Sequence, residues 1–140
     1  MRLFLDTSVL LAACRSLTGA SREIFRLAKL NEWSLIGSSY VMEEVAENLA
    51  DMGTDAQAAW PGLAVMIEIE QDVLTLDRPV VYTISKDKPI LFSALAWSEV
   101  LLTLDENDFG DLIGSKFYEL EVFSPGGFIA RQRRSGKLIE

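Results

Sequence analysis

Leu3-Phe4-Leu5-Asp6-Thr7-Ser8-Val9-Leu10-Leu11 decides the fold class of this chain. Three consecutive apolar residues read as a buried strand, and the acid that closes it is followed at once by a helical apolar pattern. Thr7 or Ser8 is placed to cap that helix, because a hydroxyl there accepts from the unpaired amides of the first turn. The same order returns in Val100-Leu101-Leu102-Thr103-Leu104-Asp105. Asp6 and Asp105 are therefore expected at the carboxyl ends of two buried strands, the edge at which open parallel α/β sheets bind ligands.

Outward from these stretches, strands and helices alternate. Strands are expected at 2–6, 33–37, 99–104 and 121–123, and one of Val73-Leu74-Thr75 and Val80-Val81-Tyr82 is expected to be a strand, the other a connection. Helices are expected after Asp6 and from Ser21, with Ile24, Leu27 and Ala28 on its apolar face. Another, capped by Ser38 or Ser39, carries Val41, Val45, Asn48 and Leu49 with Glu43, Glu44 and Glu47. Two more run from Asp55 to Glu70, with Pro61 in a first turn or marking a break, and from Asp87 to Trp97. The stretch from Phe128 suits a short helix. This alternation predicts a single three-layer α/β/α domain over residues 1–130 with a mainly parallel sheet, followed by a basic tail at 131–140.

Composition narrows the chemistry. A chain of 140 residues with 49% hydrophobic content is long enough for a self-sufficient core, and no apolar run approaches the roughly 20 residues of a membrane span. Asp6 interrupts the first apolar stretch and no small-residue cleavage site follows, so the expected location is the cytoplasm. With no histidine and only Cys14, zinc sites of the usual kind, Ser-His-Asp triads, Cys-His pairs and internal disulfides are all excluded. Cys14 falls in Leu10-Leu11-Ala12-Ala13-Cys14 and reads as a small buried hydrophobe. Carboxylate chemistry remains.

Net charge is −8, which speaks against strong nonspecific binding of nucleic acid. The charge is uneven. Arg131, Arg133, Arg134 and Lys137 stand against Glu140, a local +3, so the first 130 residues carry −11. This basic end reads either as a solvated tail or as a hold on RNA or a partner protein. Arg22, Arg26 and Lys29 fall on one face of the helix from Ser21 and carry the same pair of readings.

Four acids stand where such a fold would gather them: Asp6 and Asp105 at strand ends, Glu44 near the start of a helix, and Asp87 before Pro89 and the apolar run from Ile90. Carboxylates brought together repel, and a hard divalent cation, Mg²⁺ or Mn²⁺, with its preference for oxygen ligands, is the economical way to neutralise them. Asp87 is also an ordinary helix-capping acid. Asp108, before Phe109, suits either a further ligand or a turn.

Taken in order, Leu5-Asp6-Thr7-Ser8-Val9-Leu10, Ser39-Tyr40-Val41-Met42-Glu43-Glu44-Val45, Asp87-Lys88-Pro89-Ile90-Leu91 and Thr103-Leu104-Asp105-Glu106-Asn107-Asp108-Phe109 resemble the PIN-domain ribonucleases, and in particular the toxins of bacterial toxin-antitoxin pairs. The resemblance covers essentially the whole chain, although no single motif is specific. It implies a metal-dependent endoribonuclease in which Asp6, Glu44, Asp87 and Asp105, with Asp108 in addition, surround one or two Mg²⁺ or Mn²⁺ ions. It selects Glu44 over its neighbour Glu43 and implies an RNA substrate, an antitoxin partner and a homodimer. Thr7 and Ser8, or Thr103, are placed to orient the acids or hold waters beside them, and equally to act as caps. The rival readings are a PIN-like module that binds RNA or protein without cutting, its acids serving as caps, and a phosphatase with a strand-end Asp nucleophile. The phosphatase commonly needs a second Asp two positions on, where this chain has Ser8. Nucleotide-binding folds are excluded because neither GxxxxGK[ST] nor GxGxxG occurs.

Overall fold

Leu3-Phe4-Leu5 and Val100-Leu101-Leu102 are almost completely removed from solvent, because these strands lie side by side in the middle of a sheet covered on both faces. The computed structural model describes residues 1–74 and 88–140. In chain order its elements are β1 (Arg2–Leu5), α1 (Thr7–Arg15), α2 (Ala20–Leu30), β2 (Ser34–Ser38), α3 (Ser39–Leu49), α4 (Thr54–Ala64), β3 (Ile67–Glu70), α5 (Lys88–Trp97), β4 (Val100–Leu102), α6 (Glu106–Phe109), β5 (Lys116–Phe117), β6 (Leu120–Phe123) and α7 (Pro125–Arg134). The sheet order is β3-β2-β1-β4-β6-β5, parallel throughout except for β5, which pairs antiparallel with β6.

The order of the strands explains the layers. From β1 the chain steps to β2 and then β3 in one direction, and returns across the sheet to β4 on the other side of β1. Connections between parallel strands are as a rule right-handed, which would put the helices before β3 on one face and α5 on the other. The packing agrees: α1 lies against α2, α3 and α4, whereas α5 covers β1, β2 and β4. The result is the three-layer α/β/α fold with a mainly parallel sheet that the alternation predicts. Phe4, Leu10, Ile24, Leu27, Ile36 and Leu91 form the centre of its core. Each such side chain contributes about 1.5–3 kcal/mol by leaving water.

Several local expectations are corrected. Neither Thr7 nor Ser8 caps α1: Asp6 occupies that position, and both hydroxyls are engaged elsewhere. The second helix begins at Ala20 behind Gly19, one residue before Ser21, while Ser38 does cap α3 by accepting from the Val41 amide. The helix expected to run from Asp55 to Glu70 stops at Ala64, with Pro61 inside it and one ladder donor missing there. Ile67-Glu68-Ile69-Glu70 instead forms β3, as its strict two-residue alternation would suggest. Val73 and Leu74 belong to no regular element, and Thr75, Val80-Val81-Tyr82 and Asp87 lie outside the described residues.

The basic end begins within a helix. The boundary expected at 130 falls inside α7, which Pro125 opens and Ser124 caps through the Gly127 amide. Phe128, Ile129 and Gln132 are buried. Beyond the helix, Ile139 is clamped by Asn31, whose side chain donates to the Ile139 carbonyl and accepts from its amide, both at 2.8 Å.

Candidate active site

Because β1, β2 and β4 are parallel, their carboxyl ends open on one edge. β1 and β4 are also the neighbours between which the chain reverses its direction of travel across the sheet, so the connections leaving them diverge and leave a crevice. That crevice is a cleft of about 240 Å³ lined by Asp6, Thr7, Ser8, Glu44, Asp105 and Asp108, with Leu11, Tyr40, Asn48 and Ile90 completing the wall. The described lining contains four acids and no lysine or arginine.

Asp6 leaves β1 directly into the floor and is only 4% exposed. Its Oδ2 accepts from Ser8 Oγ at 2.6 Å and from Thr103 Oγ1 at 2.8 Å. Burial pushes its carboxyl above the usual range. The Ser8 and Thr103 hydroxyls and the Thr7 amide oppose that rise, and the nearby charge of Asp105 adds to it. The two hydroxyls also fix the neighbouring strand: Ser8 Oγ accepts from the Leu104 amide and Thr103 Oγ1 from the Asp105 amide, each at 3.0 Å. Ser8 and Thr103 are thus cross-braces between the end of β1 and the end of β4.

Glu44 comes from the second turn of α3. Val41, Val45 and Leu49 bury one face of that helix, which turns Glu44 toward the cleft and leaves Glu43 exposed. Thr7 Oγ1 donates to Glu44 Oε1 at 2.7 Å, tying α3 to the start of α1. Asp105 is the N-cap of α6, its Oδ1 accepting from the Asn107 and Asp108 amides at 3.1 and 3.0 Å. Tyr40 and Asn48 are additions that the sequence reading did not select. They lie four residues before and four after Glu44, so the helical repeat puts all three on one face.

The basic residues lie elsewhere. Arg22 donates through Nε to the Ala13 carbonyl at 2.8 Å, and Arg26 is paired with Glu23 on its own helix. Arg131 pairs with Glu121 and lies 5.1 Å from the centre of the Phe123 ring, while Arg133 pairs with Glu140. None of these, nor Lys29 or Arg134, lines the cleft. Cys14 is buried and its thiol is pushed up by that burial, as a core residue's would be.

Among the described residues no three acids converge tightly enough to cage an ion by themselves. The donor chemistry nevertheless suits Mg²⁺ or Mn²⁺: every polar side chain of the described lining offers oxygen, and Mg²⁺ is commonly held by one or two carboxylates with water and substrate phosphate making up the rest. A buried carboxylate beside a second acid also gains most from a cation. No helix among the described residues is long and apolar enough to cross a membrane. Compared with known proteins, the chain matches no protein-family model, and no curated protein matches it.

Proposed function

We propose that this protein is a metal-dependent endoribonuclease of the PIN type that hydrolyses RNA phosphodiester bonds and acts as the toxin of a toxin-antitoxin pair. One observation carries the reading. Asp6 and Asp105, at the ends of two adjacent parallel strands, are braced against each other by Thr103, and Glu44 faces the same cleft.

Asp6, Glu44, Asp105 and Asp108 would hold Mg²⁺ or Mn²⁺, with Asp87 as the further ligand implied by the resemblance. Such an ion lowers the pKa of a bound water and offsets charge on phosphoryl oxygens. The chain's own contribution is positional. Ser8 and Thr103 hold the Asp6 carboxylate in one orientation, and Thr7 does the same for Glu44, so the ligands do not have to be ordered when substrate arrives. With −11 on the first 130 residues, attraction for RNA must be local, and a bound cation is the natural source of it. The same acidic surface suits a basic antitoxin segment. A second copy of the chain is a further expected partner.

A second reading is favoured by the Asp105 geometry, since an acid that accepts two amides at the start of α6 is also what a purely structural cap looks like. In that reading the protein is a PIN-like module that binds RNA or protein without cutting. Cleavage of a panel of single-stranded and folded RNAs by wild type and Asp6→Asn, with Mn²⁺, Mg²⁺ or EDTA, separates the two. Metal-dependent cutting lost in Asp6→Asn is the expected result; a wild type that neither cuts nor binds Mn²⁺ would leave the binding module.

A further inference from the structure

The opposite edge of the sheet holds a second cavity, of about 490 Å³, lined by Lys29, Glu32, Trp33, Gln132, Lys137 and Ile139 among others. Trp33 immediately precedes β2 and Met1, also in the lining, precedes β1, so this cavity lies at the amino ends of the strands. The four residues of β1, about 13 Å of extended chain, separate that edge from Asp6. It is unconnected with the acidic cleft and has the size of a small-molecule site.

Its chemistry differs as well. Gln132 is 8% exposed and lines both this cavity and a smaller adjoining one of about 120 Å³. Its side-chain amide has no hydrogen-bond partner among the described residues. The amide atoms themselves are open to the cavity rather than sealed, so they present a donor beside an acceptor to whatever enters it. The group that satisfies both at once is a planar edge with the reciprocal pair, such as that of a nucleobase. Lys29 and Lys137 stand in the same lining against the single acid Glu32, which makes this a positive spot on a chain of net charge −8. Trp33 and Ile139 supply apolar wall.

The wall is also held in place. Asn31 clamps Ile139 through both of its side-chain amide atoms, and the Trp33 backbone amide donates to the Ala28 carbonyl at 2.9 Å. Between them Glu32, with φ 56°, closes α2 in the left-handed conformation common just past a helix end. We infer that this cavity binds a nucleoside monophosphate, its base edge on Gln132 and its phosphate between Lys29 and Lys137.

The test is a titration of the full ¹⁵N-labelled chain with AMP, GMP, CMP and UMP, and in parallel with inorganic phosphate and with the free nucleosides. The readouts are the Gln132 side-chain amide and the Trp33 indole N–H. Expected is a saturable shift at both groups with at least one nucleotide. Gln132→Leu should weaken that binding about tenfold without changing weak phosphate binding, and Lys137→Glu should weaken both by a similar factor. Backbone amide shifts outside the cavity, unchanged in both variants, show that they are folded. No saturable shift at millimolar nucleotide overturns the proposal. So do shifts confined to the acidic cleft, or inorganic phosphate binding as tightly as every nucleotide.

Discussion

Thr103 donates its hydroxyl proton to Asp6 at 2.8 Å while its oxygen accepts the amide of Asp105, so a single buried side chain sets the relation between the two strand-end acids. Replacing it by valine keeps the shape and removes the bond. Thr103→Val should cost about 1–3 kcal/mol in urea unfolding, because the Asp6 carboxylate loses one of its two hydroxyl partners in a buried setting. Mn²⁺ affinity should fall about 10–100-fold, the usual effect of removing a group that orients a metal ligand. Unchanged affinity would mean that Asp6 is not a ligand.

Asp6 itself gives a prediction with a definite sign. Its pKa is raised by burial above the ordinary 3.8, so between the unfolded and folded values the native state holds more protons than the unfolded chain. Stability without metal should therefore decline as pH rises through that window, and stay lowered above the folded value. Asp6→Asn removes this dependence and, without metal, should be at least as stable as wild type at neutral pH. Mn²⁺ should raise the melting temperature of wild type and leave the variant unmoved. Thermal scans with and without EDTA at several pH values check both parts; a variant less stable than wild type at every pH would show that the carboxylate is net stabilising.

The two neighbouring acids of α3 should behave differently. Glu44→Gln removes a carboxylate facing the cleft and should lower RNA cleavage by at least about 100-fold, in the range typical of lost groups that act on charge at the reacting centre. Glu43→Gln changes an exposed residue and should leave cleavage within about twofold. Equal loss in both would place the site elsewhere on the helix.

At the other end of the molecule, Asn31→Ala should release the last residues. The Asn31 side chain makes two hydrogen bonds to Ile139 and a third to the Leu27 carbonyl. Hydrogen exchange over residues 136–140 should accelerate, and global stability should fall by about 1–2 kcal/mol. Unchanged exchange would show that the burial of α7, rather than this clamp, holds the end in place.

How much of this was legible beforehand depended on the range of the interaction. Leu3-Phe4-Leu5 and Val100-Leu101-Leu102 announce buried strands because burial on both faces suppresses alternation, and that signal is local. The choice of Glu44 over Glu43 came from the resemblance, through the apolar Val41 three positions before the acid, and not from periodicity. The strand β3 was also legible in principle, since Ile67-Glu68-Ile69-Glu70 alternates, but a helical pattern upstream ran into it and only pairing with β2 separates the two. The short β5 depends wholly on β6. Likewise, Arg131 and Arg133 look like a free basic tail until Glu121 and Glu140 are brought to them.

The sequence alone therefore determined the class of fold, the edge of the sheet on which Asp6 and Asp105 stand and the lack of histidine chemistry, because each of these follows from periodicity or composition. Tertiary structure decided the rest. Thr7 and Ser8 could have capped the first helix, and sequence cannot choose between an amide three residues away and a carboxylate 37 residues away. The approach of β4 to β1 and of α3 to α1 made that choice, turning capping candidates into the braces that hold Asp6 and Glu44. A hydroxyl hydrogen bond reaches only about 3 Å, so its partner is fixed by packing between distant segments rather than by neighbours in the chain.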